Sequence, residues 1–197
     1  MMDMFPIWPE NLTTGNRLWV TGLVILVLLL MLMYLLRNSL CYWWEGRRIT
    51  RAVKRLGARM LRNITLPDGM GGEVNIDFLL LSTDAILVIG VKRYDGMIFG
   101  GMQTDEWTQT INTRSYKFTN PDIYLSRQVS AVKSIVPKAP VRGMHLLIDN
   151  ATFPWDKPSN VLQVKDLRGS NTRRPKLKYI PMELRTAWTQ AMRSLKQ

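Results

Sequence analysis

Two charged residues stand where a folded sheet tolerates few. Asp77 interrupts the apolar run Val74 to Leu81, and Lys92 closes the next apolar run, Ala85 to Val91. Charges inside a sheet are costly unless they are paired, bound to metal or placed at the rim. An acid and a lysine on one face of neighbouring strands is what a divalent-metal phosphodiesterase needs. The carboxylate holds the ion against the phosphate, and the ammonium orients or activates the attacking water. The same two residues also suit a plain cross-strand ion pair.

Whether they share a face depends on the connection between the strands. Ser82-Thr83-Asp84 is short and polar, so a hairpin is the economical link. A two-residue turn at Thr83-Asp84 sets Asp77 opposite Gly90 and Asn75 opposite Lys92, and all three polar side chains then point the same way. A slip of one residue would send the acid and the lysine to opposite faces.

The stretch Ile76-Asp77-Phe78-Leu79-Leu80-Leu81, followed by Ile86-Leu87-Val88-Ile89-Gly90-Val91-Lys92-Arg93-Tyr94-Asp95-Gly96, resembles the nuclease-related domain (NERD) family, a branch of the PD-(D/E)XK nuclease superfamily. The family pattern has an aspartate in an apolar strand, then a strand ending Glu-x-Lys-x-Tyr-x-Gly, then a Trp, an Asn-Pro and a helix Gln. Trp107, Asn120-Pro121 and Gln128 match the later landmarks, and the similarity runs from Trp44 to about Phe153. The resemblance implies a restriction-endonuclease-like mixed α/β sheet flanked by helices. It gives Asp77 the metal-ligand place, Lys92 the catalytic lysine place and Gln128 a part in shaping the site.

This chain departs from the pattern at one point, because the Glu-x-Lys reads Gly90-Val91-Lys92. Asp77 alone would give Mg²⁺ one protein anion, a weak hold for an ion that sheds water reluctantly. Asp95, Glu106, Glu73 and Glu45 are the acids that could take the vacant place. Glu45 also lies near the first-helix acid of some family members, although Glu45-Gly46-Arg47-Arg48 is one position out of step.

These elements sit behind an apolar segment. Leu18 to Leu36 carries no charge and is fenced by Arg17 and Arg37. As one helix it is long enough to bridge a bilayer core of about 30 Å. Trp19 at one end and Tyr34, Tyr42, Trp43 and Trp44 at the other suit the interfacial aromatic belts. A signal peptide fits poorly, since Met1 to Asn16 has Asp3 and Glu10 and no basic residue. Eight Lys and Arg lie between Arg37 and Arg62 against one acid, Glu45. The positive-inside bias therefore expects a single pass through the cytoplasmic (inner) membrane, tail outside and C-terminal part in the cytoplasm. The expected divisions are a tail over 1–17, the membrane helix over 18–36, a nuclease-like domain over 44–165, and a basic arm with a closing helix over 166–197.

The chain has 27 basic and 15 acidic residues, and of these only Arg17, Asp3 and Glu10 precede Arg37. Such an excess points to a polyanion, either nucleic acid or acidic headgroups. Trp44 to Arg62 reads as an amphipathic helix. Ile49, Val53, Leu56 and Met60 form its stripe, and Arg47, Arg48, Arg51, Lys54 and Arg55 are candidate phosphate contacts. Lys165 to Lys178 reads as a loop or arm offering Arg173, Arg174 and Lys176.

Further strands are expected at Met97 to Gly101, Trp107 to Thr113, Val141 to Ile148 and Val161 to Val164. Helices are expected at Gln128 to Val136 and Met182 to Leu195, with Asn120-Pro121 as a break. Cys41 is the only cysteine, which excludes an intrachain disulfide and a thiolate cage. His145, the only histidine, lies in an apolar stretch and is expected to pack in or beside a strand rather than serve as a ligand. Zinc chemistry and a Ser-His-Asp triad are hard to build from this set.

Three functions remain open. One is a catalytically degenerate, membrane-anchored protein that binds or helps process nucleic acid, DNA before RNA. Another is an active metal-dependent DNA nuclease with a relocated carboxylate. The third is a structural component of a membrane assembly for DNA transfer or secretion, with protein partners in that complex. No small-molecule cofactor is expected.

Overall fold

Helix α1 covers Thr14–Val53. The computed structural model describes residues 14–195, apart from 70, 102, 149, 156 and 170–173. It divides into two compact units, residues 1–47 and 48–197. In the first, Trp19–Arg37 is long and apolar enough to cross a membrane, and none of it is buried within the protein. The Arg47 guanidinium stacks 3.5 Å from the centre of the Trp43 ring, and Trp43 meets Trp44 edge-on.

In the second unit the last turns of α1 bury Ile49, Ala52 and Val53. The helix stops at Val53, so the amphipathic helix expected to reach Arg62 is corrected. Gly57 ends it: a β-carbon there would stand 2.9 Å from the Leu81 carbonyl oxygen, so the chain passes too close to the sheet for a side chain. Ala58 N–H then donates to that carbonyl at 2.8 Å. Arg59–Pro67 continues as strand β1.

Strands β2 (Glu73–Leu81) and β3 (Ile86–Lys92) form the expected hairpin, with Ser82 and Ala85 closing the two-residue turn. Their register, Leu81↔Ile86 through Phe78↔Ile89, is the one the turn length dictates. Strands β4 (Met97–Phe99), β5 (Glu106–Ile111) and β6 (Arg114–Thr119) make a separate antiparallel sheet. Helix α2 (Pro121–Ile135) follows, then β7 (Val141–Leu147), β8 (Val161–Gln163), α3 (Val164–Gly169) and α4 (Met182–Ser194). The main sheet has the order β1-β2-β3-β7-β8. Its first three strands are antiparallel, and β7 and β8 join parallel to β3.

Apolar clusters cover both faces of this sheet. One joins Leu79, Leu81, Ile86 and Val88 to Leu125 and Val132 of α2 and Leu184 and Trp188 of α4. The other joins Phe78, Leu80, Leu87 and Ile89 to Ile49 and Val53 of α1 and Leu167 of α3. A third fills the space behind the small sheet with Ile98, Trp107, Leu147, Ala151 and Val161. The fold is thus a mixed α/β sheet flanked by helices.

Asn120-Pro121 does end the strand, since β6 stops at Thr119, and it also starts α2, earlier than the expected Gln128. Pro121 has no N–H to lose at the first turn, and the Asn120 side chain caps the helix by accepting from Asp122 N–H at 2.9 Å. The stretch 165–178 is not one open loop: α3 occupies its start, and a short 3₁₀ turn, Leu177–Tyr179, its end.

Candidate nuclease-like cleft

Asp77 sits where strand pairing fails on both sides. Between β1 and β2 the ladder runs to Arg62↔Phe78 and resumes at Ile64↔Ile76, skipping Asn63, whose φ of 48° is left-handed. Between β2 and β3 the ladder ends at Phe78↔Ile89. Beyond it the strands fork, and the Asp77 carboxylate fills the fork by accepting the Val91 N–H through Oδ2 at 2.7 Å. A side chain thus stands in for a missing backbone acceptor, which keeps a part-buried amide satisfied.

Helix α2 completes the fork. The Gln128 side-chain amide donates to the Asn75 carbonyl. The Tyr124 hydroxyl accepts from Asn75 N–H at 3.3 Å. Residues four apart on one helix face therefore cap the strand edge that β3 leaves unpaired. Because Gln128 uses its nitrogen on Asn75, its Oε1 is turned toward Gly90, 3.7 Å from where a β-carbon would stand.

The result is a cleft of about 260 Å³ lined by Asn75, Asp77, Lys92, Tyr124, Gln128 and His145, with Gly90 in its floor. Lys92 Nζ lies 5.7 Å from the centre of the Tyr124 ring, a cation–π distance. Asp77 and Lys92 share the cleft without forming an ion pair with each other. Asp77 is its only carboxylate among the described residues. Asp95, Glu106 and Glu73 do not line it, and Glu106 pairs instead with Lys117 at 3.4 Å on the small sheet.

His145 packs within a strand, as its apolar surroundings predict. It lies in β7 beside Gly90 in the parallel register and is 1% exposed. Its Nε2 meets Asp122 Oδ1 at 2.8 Å, and Asn160 Nδ2 donates to that same oxygen at 2.6 Å. Its Nδ1 has no hydrogen-bond partner. Burial pushes the imidazole pKa down, the Asp122 hydrogen bond and charge oppose that, and the Lys92 charge adds to the lowering. Nothing in the sequence sets it beside Gly90; only the parallel pairing of β7 with β3 does so.

The basic residues are spread more widely. Arg48, Arg51 and Arg55 border a shallow pocket with Leu167, and Lys54 is exposed beside them. Arg47 belongs to the first unit. Arg174 is tied down, its guanidinium donating to the carbonyls of Gly57 at 3.2 Å and Ala58 at 2.7 Å. That explains Arg174 as a brace for the α1–β1 turn. Lys176 is exposed, and Arg173 lies outside the described residues.

Trp107 and Asn120 serve packing. Trp107 is 1% exposed against Phe118 and Phe153. Asn120 Nδ2 donates to the carbonyls of Gly101 and Thr104.

A helix-flanked mixed sheet with an aspartate and a lysine at a strand fork defines a nuclease-like α/β scaffold. The chain belongs to the nuclease-related domain (NERD) family, whose model matches residues 42–148, more than half its length. It is also 25% identical over 100 residues to an uncharacterized protein of Bacillus anthracis, covering 47% of this chain and 47% of that protein. The chain therefore spans about half the length of that curated relative. No solved structure matches it significantly.

Proposed function

We propose that this protein is a membrane-tethered, nuclease-related module that binds nucleic acid and has lost or greatly weakened the metal-dependent cleavage of its fold class. The observation that carries this reading is that Asp77 is the cleft's single carboxylate among the described residues; the family resemblance would put the missing motif glutamate at Gly90. Mg²⁺ favours a near-octahedral oxygen shell anchored by carboxylates, and a single aspartate gives it a weak hold. Fold membership alone confers no chemistry.

Binding rests on charge. Arg48, Arg51, Lys54 and Arg55 form an exposed cationic surface at the end of α1, and Arg47 extends the basic run in sequence. Lys92 adds a cation inside the cleft. The segment Trp19–Arg37 supplies the tether, and the basic run from Arg37 to Arg62 favours a cytoplasmic C-terminal part on the inner face of a bacterial cytoplasmic membrane.

Equilibrium binding of the full chain in mild detergent to a short DNA duplex, followed over a range of salt, tests the reading. Affinity should fall steeply with salt through counterion release. Replacing Arg48, Arg51 and Arg55 by Ala should flatten the slope by about one for each phosphate no longer neutralised. Salt-independent or absent binding would refute it.

An active nuclease is the second reading, favoured by the shared cleft of Asp77 and Lys92. Incubation with DNA and Mg²⁺ or Mn²⁺ decides it. Cleavage that disappears in both Asp77→Ala and Lys92→Ala would replace the non-catalytic reading.

A further inference from the structure

We infer that the cleft is a site for a nitrogen-preferring divalent transition metal, held by His145 Nδ1, Gln128 Oε1 and Asp77, in place of the Mg²⁺ site its fold class implies. The inference deepens the reading above, because it rests on Gly90 standing where a carboxylate would otherwise enter the cleft.

Geometry brings two of these donors to one point and sets the third in the same cleft. A β-carbon at Gly90 would stand 3.8 Å from His145 Nδ1 and 3.7 Å from Gln128 Oε1, so both atoms face the space that the glycine leaves open. Asp77 lines the same cleft and keeps Oδ1 available while Oδ2 holds the Val91 amide. His145 is buried to within 1% of its surface, and its Nδ1 has no hydrogen-bond partner, an unusual state for a buried ring nitrogen.

The tautomer follows from the opposite side of the ring. The Nε2–H donates to the Asp122 carboxylate Oδ1 at 2.8 Å, and this tautomer leaves Nδ1 with its lone pair. A carboxylate behind an imidazole is the outer arrangement that orients metal-binding histidines and raises their basicity. Asn160 fixes the same carboxylate oxygen at 2.6 Å, so the ring's backing is itself held in place.

The donor chemistry selects the ion. Imidazole nitrogen with carboxylate and amide oxygens suits Co²⁺, Ni²⁺ or Zn²⁺ better than Mg²⁺. Lys92 lines the same cleft, so a phosphate oxygen of bound nucleic acid drawn to the ion would also find an ammonium there. In the non-catalytic reading the ion is a phosphate grip, and no bond need break.

Titration of the full chain in mild detergent with Co²⁺, read by visible absorption, tests the inference without DNA. One equivalent should produce a saturable nitrogen-ligated spectrum that Zn²⁺ abolishes and Mg²⁺ in large excess does not. His145→Asn should abolish the spectrum. Asp122→Asn should weaken binding by about 10–100-fold, the usual effect of losing such a backing group. Should His145→Asn fail to fold by circular dichroism, Gly90→Val decides. It leaves His145 in place, and its added side chain fills the space between the donors, so it too should remove the spectrum.

Gly90→Glu should let Mg²⁺ compete with Co²⁺. No spectrum in the wild type, or one unchanged in folded His145→Asn or Gly90→Val, overturns the site. Failure of DNA binding would sink the functional reading and leave this result standing, and the converse holds equally.

Discussion

The β2–β3 hairpin has two ends built on different principles. From Phe78 to Leu81 it is zipped against Ile86 to Ile89, and Leu79, Leu80, Leu81, Ile86, Val88 and Ile89 are at most 1% exposed. Past Phe78 the strands part, and polar side chains from β2 and α2 replace the missing backbone ladder. The zipped end is held by close packing, which punishes any change in volume. The forked end is held by directed hydrogen bonds around open space. A sheet can therefore keep a rigid base and still present an unfilled polar pocket two residues away.

Four substitutions or conditions probe this contrast, the largest effect first. Leu79→Ala empties the base and should destabilise the chain by about 2–5 kcal/mol in chemical unfolding. Gly143→Ala adds one methyl on β7, where a β-carbon would stand 2.8 Å from Leu125 Cγ and 2.9 Å from Val129 Cγ2. Overpacking there should cost about 1–3 kcal/mol. A destabilisation as small as that of a surface change would show α2 to be looser than its packing implies.

Acidification addresses the forked end. The folded state lowers the His145 pKa below its ordinary 6.5, so the unfolded chain takes up the proton first as pH falls. Stability present above that ordinary value should decline as pH drops from it toward the folded value. Asp122 and Lys92 are the charged groups acting on the ring. Unfolding midpoints at pH 7.5 and 5.5 in chelator, for wild type and His145→Asn, measure it. An equal decline in both proteins would assign the effect elsewhere.

Gly90→Ala is the smallest change and the sharpest contrast with Gly143→Ala. Its β-carbon would meet only ordinary contacts, at 3.7 and 3.8 Å. Unfolding should show no destabilisation, or a gain of about 0.5–1 kcal/mol from removing a strand glycine.

Local chemistry makes much of this readable in the sequence. Ser82-Thr83-Asp84 is too short for anything but a tight turn, so the hairpin register follows directly. Strand β1 is hidden because Leu56 and Met60 continue the helical spacing of Ile49 and Val53, and the contact that ends the helix, Gly57 against Leu81, is long-range. Strand β6 carries little apolar pattern to find, since five of its six residues are exposed. The start of α2 is easily misplaced because Asn-Pro is both a common break and a good helix start. For the cleft, Asp77 and Lys92 announce themselves as charges among aliphatics. His145 does not, because its meaning depends on Asp122, Asn160 and Gly90, which only the folded chain assembles.

Asn120 has a mechanical consequence. One side chain fastens the Gly101 and Thr104 carbonyls beside the small sheet and also seats the first turn of the helix bearing Tyr124 and Gln128. One amide thus fastens the loop before the small sheet's β5 to one jaw of the fork, so an Asn120 substitution should be felt at both.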